Sequence, residues 1–309
     1  MAAPKYTIAD FNRDYPDEDA CLETVFRMVY PDGVACRKCG QERPHSKLTG
    51  RKAYSCNYCG THVYPLAGTI FEKSTTALKS WFYAMFLMAS TRCGISAKQL
   101  ERELGVTYKT AWRMFDQIRK LMDEDDGPLW GEVEVDETFV GGKLSNRHRQ
   151  NGEKFHDQMA NKVAVVGAMQ RGGKLKTQVV PNVRKTALIP LVVEHVMPHA
   201  TVFTDEAKGY TKLADHGFKH RRVNHSAKVY VSGNVHTNTI EGFWSLLKNG
   251  IRGAHHAVGA NKLQTYVDEY AFRYNHRDDA EPLYKVLKGR VTKTRHGRYG
   301  RYAPLDTAG

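Results

Sequence analysis

The sequence predicts a multidomain protein in which two small N-terminal modules precede a larger α/β domain. Three observations predict this arrangement: two closely spaced cysteine pairs, a run of three helical segments, and then an alternation of strands with helices. The chain has 309 residues, which is too long for one small core, so roughly two to four units are expected.

The composition is typical of a globular protein, with 41% hydrophobic and 26% charged residues. No apolar run reaches the roughly 18 to 20 residues of a membrane span. The N-terminal stretch MAAPKYTIADF lacks the apolar region of a signal peptide. We therefore expect a cytoplasmic protein with no membrane partner.

The net charge of +13 is distributed unevenly along the chain. Residues 1–137 carry a net charge of −2, and residues 138–309 carry +15. A field of this sign suits a polyanion, of which nucleic acid is the commonest. The alternative, a generically basic protein without such a partner, stays open on charge alone.

A short helical region is predicted at residues 1–33, before the first cysteine pair. Pro16 and Asp17 form a good helix start, and the apolar residues that follow recur at helical spacing. Cys21 falls on that apolar stripe, and a second isolated thiol, Cys93, lies further on. Both are predicted to be buried and to bind no metal.

The four remaining cysteines have the spacing C-x2-C-x16-C-x2-C, which is typical of a zinc ribbon. The glycine after each pair can adopt the positive φ that such a turn needs. Four thiolates close a tetrahedral shell, so the zinc would be structural. Two disulfides or unpaired thiols are the alternatives, and disulfides are disfavoured in an intracellular chain. The predicted ribbon covers residues 34–68, and its ligands are Cys36, Cys39, Cys56 and Cys59.

Three helices are predicted within residues 69–125. The second and third are separated by a glycine turn, which is helix-turn-helix spacing. Tyr108, Lys109 and Arg113 lie near the start of the third helix, where base edges are usually read. An ordinary helical hairpin explains the same pattern.

An acidic linker at 123–128 precedes the change to short apolar runs. These runs predict three strands, a helix, a strand, a helix, a strand and further helices. The Arg-Gly-Gly-Lys turn at 171–174 indicates a hairpin. The order predicts a mixed α/β domain over residues 126–288, followed by a basic, glycine-rich tail at 289–309.

Three acidic residues in this domain are candidate metal ligands. Asp136 lies in GEVEVDETFVGG, Asp205 ends ATVFTD, and Glu241 follows NTI near a predicted helix start. Phosphodiester cleavage with Mg²⁺ uses carboxylates from separate elements. Each acid also has a structural explanation: an exposed strand acid, a helix cap and a capping-box glutamate. The residues alone leave both interpretations open.

Several segments together resemble the zinc-ribbon DDE transposases of bacterial insertion sequences, the ISXO-like group. They run in order through most of the chain: CRKCG…CNYCG, the helix-turn-helix region, VEVDETFVGG, VFTDEAKGY, HTNTIEGFWSLLKNGIRGAHH and YVDEYAFRYNHR. The resemblance implies a ribonuclease-H-like catalytic domain, in which a mixed sheet has helices on both sides. By motif it assigns Asp136, Asp205 and Glu241 to the Asp-Asp-Glu triad and Lys248 to a DNA-phosphate contact.

The resemblance also implies an activity and its cofactors. The chain is expected to bind double-stranded DNA at the terminal inverted repeats of an insertion sequence, cut it there, and join the freed 3′-hydroxyl to target DNA. The expected cofactors are structural Zn²⁺ and two Mg²⁺ or Mn²⁺ ions held by the triad. Arg252 and Trp244 are further candidates for DNA contacts.

Joining two element ends needs at least a dimer, so a homo-oligomer associated with the bacterial nucleoid is expected. One alternative is a non-catalytic DNA-binding protein, such as a regulator or a domesticated transposase. Another is a metal-dependent nuclease that cuts DNA without joining it.

Overall fold

The chain forms two compact units in the computed structural model. One unit is Met1–Met122 together with Asp279–Gly309, and the other is Asp123–Asp278. The division falls at the acidic linker. Within the described part of the chain, no helix has the length and hydropathy that crossing a membrane requires. The residues that the structure describes are 5–91, 93–124, 126–141, 162–205, 208–222 and 236–292.

The first unit opens with two capped helices, α1 (Ile8–Asp14) and α2 (Glu18–Val29). The carboxylate of Asp17 accepts a hydrogen bond from a backbone N–H in the first turn of α2. This confirms the predicted helix start, since a side-chain acceptor at this position satisfies a free N–H group. Cys21 is buried on α2, as predicted.

Three short strands follow: β1 (His45–Lys47), β2 (Tyr54–Cys56) and β3 (His62–Val63). They form an antiparallel sheet in the order β1-β2-β3. The ring of Tyr54 stacks on Phe26 of α2 with the ring centroids 3.9 Å apart. The small sheet therefore packs on the helix that precedes it.

The three predicted helices are α3 (Leu78–Ser90), α4 (Ala97–Leu104) and α5 (Tyr108–Lys120). Ser96 and Thr107 cap the N-termini of α4 and α5 through their hydroxyl groups. Gly105 ends α4 with a φ of 62°, a conformation that glycine adopts without steric cost.

Two features of the first unit differ from the sequence predictions. Helix α9 (Leu283–Gly289) packs in this unit, because the buried ring of Tyr284 stacks on Tyr6 at 4.9 Å. The predicted catalytic domain had extended to residue 288. Cys93 is exposed, and the prediction of a buried thiol is wrong; it lies beyond the end of α3, outside the apolar stripe of that helix.

The second unit is built on a five-stranded mixed sheet with the order β6-β5-β4-β7-β8. Strand β4 pairs antiparallel with β5, which pairs antiparallel with β6. On the other side, β4 runs parallel to β7, and β7 runs parallel to β8. The strands are β4 (Glu132–Val140), β5 (Val163–Gln170), β6 (Leu175–Val180), β7 (Thr201–Thr204) and β8 (Lys219–Arg222).

Helices cover both faces of this sheet, so the predicted mixed sheet with helices on both sides is confirmed. Helix α6 (Lys185–His195) packs on one face with Val133 and Val135 of β4. Helices α7 (Asn238–Gly250) and α8 (Leu263–Asn275) pack on the other face. Because side chains alternate along a strand, Glu134 and Asp136 share the face that α7 covers.

One predicted helix of this unit, at residues 210–216, is instead a pair of 3₁₀ turns, Lys208–Tyr210 and Leu213–His216. Gly217, with a φ of 84°, ends the second turn after four residues. A left-handed residue at this position stops the segment before an α-helix can form.

Candidate metal and nucleic-acid sites

The four ribbon cysteines converge on one point in the first unit. Their Sγ atoms all lie within 4.8 Å of one another, a spacing that suits the tetrahedral thiolate shell of structural zinc. Backbone N–H groups of Cys39 and Lys38 lower the pKa of the Cys36 thiol to about 6. This favours the thiolate, which is the form that binds zinc.

Each cysteine pair forms the expected tight turn. The N–H of Gly40 donates to Cys36 O at 2.7 Å, and the N–H of Gly60 donates to Cys56 O at 3.0 Å. Both glycines have positive φ, 68° and 71°, so the turn geometry needs residues without a β-carbon. The site is therefore assembled by local backbone geometry within one short segment.

In the second unit, Asp136 lies on β4, and Asp205 directly follows β7, the neighbouring parallel strand. Glu134 of β4 pairs with Phe203 of β7, so two residues further along Asp136 comes opposite Asp205. Adjacent strands are about 4.8 Å apart. The two carboxyl groups therefore share one edge of the sheet.

Asp136 is partly buried and lies close to other carboxyl groups. Burial, together with the negative charges of Glu137 and Asp205, raises the pKa of Asp136 to about 7. A bound divalent cation would relieve this repulsion, so the pair fits a metal site. The alternative of Asp136 as an ordinary exposed strand acid is wrong, because α7 covers this face.

Helix α7 is fixed to β4 by Glu134, a fully buried glutamate. Its Oε2 accepts the backbone N–H groups of Thr239 and Ile240 at 3.0 and 3.1 Å. Its Oε1 accepts the hydroxyl of Thr239 at 3.0 Å. A carboxylate at this position satisfies free N–H groups and favours the helix dipole.

Arg171 neutralises Glu134 and connects the sheet to α7. Its Nε donates to Glu134 Oε1 at 2.9 Å, and another nitrogen donates to Glu132 at 3.2 Å. The remaining nitrogen donates to the carbonyl oxygen of His236 at 2.8 Å, just before α7. Arg171, which the sequence identified only as part of a hairpin turn, is therefore the partner of the buried charge of Glu134.

Trp244 of α7 closes the contact with Asp136. The indole Nε1 donates to Asp136 Oδ2 at 3.0 Å, and the side chain is only 4% exposed. Gly167 of β5 leaves room for this ring, since a β-carbon there would lie 2.9 Å from it. This buried position differs from the exposed one that the predicted DNA contact by Trp244 would need.

Glu241 lies on the first turns of α7 but is exposed. Its Oε1 accepts the hydroxyl of Thr237 at 2.9 Å. The helix begins one residue earlier than a capping box at Asn238 would require, because Thr237 is the N-cap. Among the described residues, only the four cysteines form a close metal-type cluster, so Glu241 is not gathered with the two aspartates.

Two family models match the segments that contain these two centres. Residues 16–62 match the model of the transposase zinc-ribbon domain, and residues 128–275 match that of the ISXO2-like transposase domain. A transposase-like protein of Haemophilus influenzae is 30% identical over 119 residues, which cover 38% of this chain and 95% of that protein. The chain belongs to the ISXO2-like transposase family.

A second relative of the chain is a protein in the transposable element ISH50 of Halobacterium salinarum. It is 28% identical over 273 residues, which cover 84% of this chain and 92% of the relative. The matched segments contain all four cysteines, all three candidate acids and helix α7. The mixed sheet lies within the segment that matches the ISXO2-like transposase domain.

Two solved structures also show a distant similarity. A chain of the Mos1 strand transfer complex is 9% identical, with a TM-score of 0.29, covering 69% of this chain and 75% of that one. A chain of a pre-cleavage Mos1 transpososome is 10% identical, with a TM-score of 0.27, covering 70% and 79%.

The predicted DNA-reading residues of the chain lie on one exposed surface of α5. Tyr108, Lys109, Trp112 and Arg113 are exposed at its N-terminal end. The guanidinium of Arg113 also lies 6.0 Å from the ring of Trp81. Two short helices joined at Gly105 are the expected geometry, and their role in DNA binding stays a prediction.

Lys248, in the last turn of α7, is half-buried, and Arg252, in the π-helical turn that follows α7, is exposed. They lie at the end of the helix opposite to Glu134. The predicted basic, glycine-rich tail at 289–309 falls largely outside the described residues.

Sequence reasoning missed two acids that the structure places beside the candidate site. Glu134 was not identified as a candidate from the sequence, although its spacing of two from Asp136 puts it on the same face. Glu137 points to the opposite face, where the hydroxyl of Tyr210 donates to its Oε2 at 2.7 Å. Burial raises the pKa of Glu137, and the fully buried Tyr210 fixes its position.

Proposed function

We propose that the protein is a transposase that binds the terminal inverted repeats of an insertion sequence and cuts and joins DNA there. The observation that carries the proposal is the placement of Asp136 opposite Asp205, with α7 fixed beside them by Glu134 and Trp244. Membership of the family supports it, as does a relative named for its transposable element.

The reaction has two steps. A water oxygen bonds to phosphorus at the element end, and the bond to the 3′-oxygen breaks, leaving a 3′-hydroxyl opposite a 5′-phosphate. The oxygen of that 3′-hydroxyl then bonds to a phosphorus of the target, and the target's 3′-oxygen leaves with the proton. The second step exchanges one phosphodiester for another and needs no energy source.

The candidate residues divide these tasks. Asp136 and Asp205 would hold Mg²⁺ or Mn²⁺ between them, and Glu241 would hold a second ion. When bound, such ions lower the pKa of water and stabilise the leaving oxygen. Lys248 and Arg252 would position phosphates of the strand, because each presents a cation beyond Glu241, Lys248 on α7 and Arg252 on the turn that follows it.

The first unit would bring the element ends to this centre. Helix α5 presents Tyr108, Lys109 and Arg113 for DNA recognition, and structural zinc would hold the ribbon. Because both ends of an element must be joined, we propose that a dimer or larger homo-oligomer carries out the reaction.

The test uses the full-length protein with a duplex taken from the inverted repeats that flank its gene. In Mg²⁺ or Mn²⁺, we expect cleavage by the wild type and its loss in Asp205→Asn and in Glu241→Gln. Both variants should still bind the duplex. Asp215→Asn, which alters an exposed acid of the same unit, is the matched control and should cleave normally.

Undiminished cleavage by both acid variants would refute the triad. A separate assay with labelled 3′-ends and target DNA distinguishes joining from cutting alone. Cleavage without any joined product would assign the protein as a nuclease. Binding to the repeats without cleavage by the wild type would leave only a DNA-binding role.

A further inference from the structure

A cavity of about 630 Å³ lies at the C-terminal end of α7. Its walls come from the ends of β4 and α7, the start of β5 and the segment that follows α7. Among the described lining residues there is no aspartate or glutamate, and apolar residues of the core on the α7 side, Val140, Val163 and Val258, form part of the wall. The basic lining residues are Lys162, Lys248, Arg252 and His256.

The backbone that forms one wall of this cavity is unusual. After α7 the chain makes one turn of π-helix, Ile251–His255. At His256 it then adopts a φ of 60° and a ψ of −52°, and the N–H of Ala257 donates to His255 O at 2.7 Å. This is a γ-turn with positive φ, which is rare and strained for a residue with a β-carbon.

The two histidines at this turn have different surroundings. The ring of His255 packs edge-on against Tyr266, with the centroids 4.9 Å apart. His256 lines the cavity and is exposed. Strained backbone persists only where the surrounding structure enforces it, and it concentrates at functional sites. Single π-turns inside helices have the same tendency.

The cavity lies a fixed distance from the candidate acids along two elements. Val140, which lines it, is four residues beyond Asp136 on β4, or about 13 Å. Lys248 is seven residues beyond Glu241 on α7, or about 10 Å. Nucleotides of one strand are spaced about 3.4 Å apart along a duplex, so roughly three or four nucleotides separate the acids from the cavity.

We propose that this cavity binds an unpaired nucleotide of the DNA strand whose phosphodiester lies at Asp136 and Asp205. Lys248 and Arg252 contact the flanking phosphates, and the apolar wall at Val163 and Val258 contacts the base. A paired base cannot enter, because pairing and stacking hold it inside the duplex. The inference rests on the proposed function, in which this unit acts on DNA.

The test compares the affinity of the full-length protein for three DNA probes. Divalent metal is left out of the buffer, so that no cleavage occurs. The probes are a blunt duplex, the same duplex with three unpaired thymidines at one 3′-end, and that overhang with abasic residues. Fluorescence anisotropy should show about tenfold tighter binding to the thymidine overhang than to the other two probes. Equal affinity for all three would overturn the inference.

Two variants test the cavity itself. Arg252→Gln should lose most of the preference for the overhang, whereas Lys219→Gln, a change of an exposed cation on β8, should keep it. His256→Gly should also lower the preference while its Tm equals or exceeds that of the wild type, because glycine accepts positive φ. An unchanged preference in both cavity variants, or a lower Tm for His256→Gly, would contradict the proposal.

These outcomes separate the cavity from the catalytic proposal. If the overhang preference is present but the wild type fails to cleave repeat DNA, the proposed activity is wrong and the cavity stands. If cleavage depends on the acids but all three probes bind equally, the activity stands and the cavity proposal is overturned.

Discussion

At its N-terminal end α7 is held by the fully buried carboxylate of Glu134, whereas at its C-terminal end it widens into a π-turn before the strained His256. At the first end, the N–H donors of the helix are paired with the carboxylate acceptor of Glu134, and two acids lie nearby. The second end is open, basic and strained. One helix therefore combines a fixed acidic end with an open cationic end.

The difference teaches how a single element can serve a reaction on a charged polymer. Acids that hold metal must keep their spacing, which requires a rigid connection to the sheet. In the proposed reaction, the groups that hold a flexible DNA strand need to present accessible cations. The cavity at the C-terminal end of α7 would provide them. The acidic end has stabilising hydrogen bonds, whereas the basic end has strained backbone. This pattern is expected where the requirements of function oppose those of stability.

The largest expected effect comes from breaking the fixed end. In Glu134→Gln, a neutral amide replaces the carboxylate. Its one oxygen cannot accept all the hydrogen bonds that α7 and Arg171 donate, and it no longer carries the negative charge that pairs with Arg171. Removing one partner of a buried ion pair typically lowers the free energy of unfolding by about 3–5 kcal/mol. Chemical denaturation of the second unit measures this loss.

Glu132→Gln is the matched control for that variant, because Glu132 contacts the same Arg171 but has a side chain that is 43% exposed. We expect it to change the free energy of unfolding by less than about 1 kcal/mol. Cleavage should fall in Glu134→Gln while the overhang preference is retained. Equal losses in the two variants would remove the distinction between the buried and the exposed carboxylate.

The next effect concerns pH. The pKa of Asp136 is raised to about 7 in the folded protein, compared with about 3.9 in an unfolded chain. The folded state thus holds the proton of Asp136 more tightly than the unfolded chain does. The contribution of this proton to the free energy of unfolding is therefore complete below about pH 4 and is lost as pH rises through 7. Asp136→Asn should remove this dependence and raise stability at pH 8 by about 2–4 kcal/mol, a range reduced for partial solvent exposure.

Thermal unfolding from pH 5 to 8 without Mg²⁺ tests this prediction, with no chelator so that zinc is retained. The Tm of the wild type should fall across the range more than that of Asp136→Asn. Adding Mn²⁺ at pH 8 should restore the Tm of the wild type and not that of the variant. Parallel pH profiles for the two proteins would show that Asp136 is not a crowded acid.

A smaller effect is expected for Trp244→Phe, which keeps the ring packing but removes the donor to Asp136. The loss of one hydrogen bond to a carboxylate should lower the free energy of unfolding by about 1–2 kcal/mol. Because that bond lowers the pKa of Asp136, its removal should move the pH midpoint of cleavage upwards. A midpoint that moves down or stays constant would contradict the assigned contact.

The parts of the fold that follow local rules were predictable from the sequence. The cysteine spacing, the caps at Ser96 and Thr107, and the hairpin at 171–174 all depend on neighbouring residues. The order of strands and helices gave the mixed sheet. These features need no knowledge of which distant segments meet.

The partners of the candidate acids depend on contacts between distant residues, and there the sequence was insufficient. Glu134 meets Thr239 across 105 positions, and nothing near either residue indicates the contact. Trp244 was assigned to DNA because aromatic residues often stack on bases, but its register on α7 turns it inward. The γ-turn at His256 has no glycine to mark it, so its positive φ could not be anticipated.

The guanidinium of Arg171 joins segments that are far apart in the chain, and this has a consequence for the order of folding. It pairs with Glu132 and Glu134, 39 and 37 residues before it, and with His236, 65 residues after it. Long loops must close before such contacts can form. We therefore expect the β4–β5 hairpin to form first and α7 to dock last, so that pulse-labelled hydrogen exchange should protect the amide of Val166 before that of Ile240.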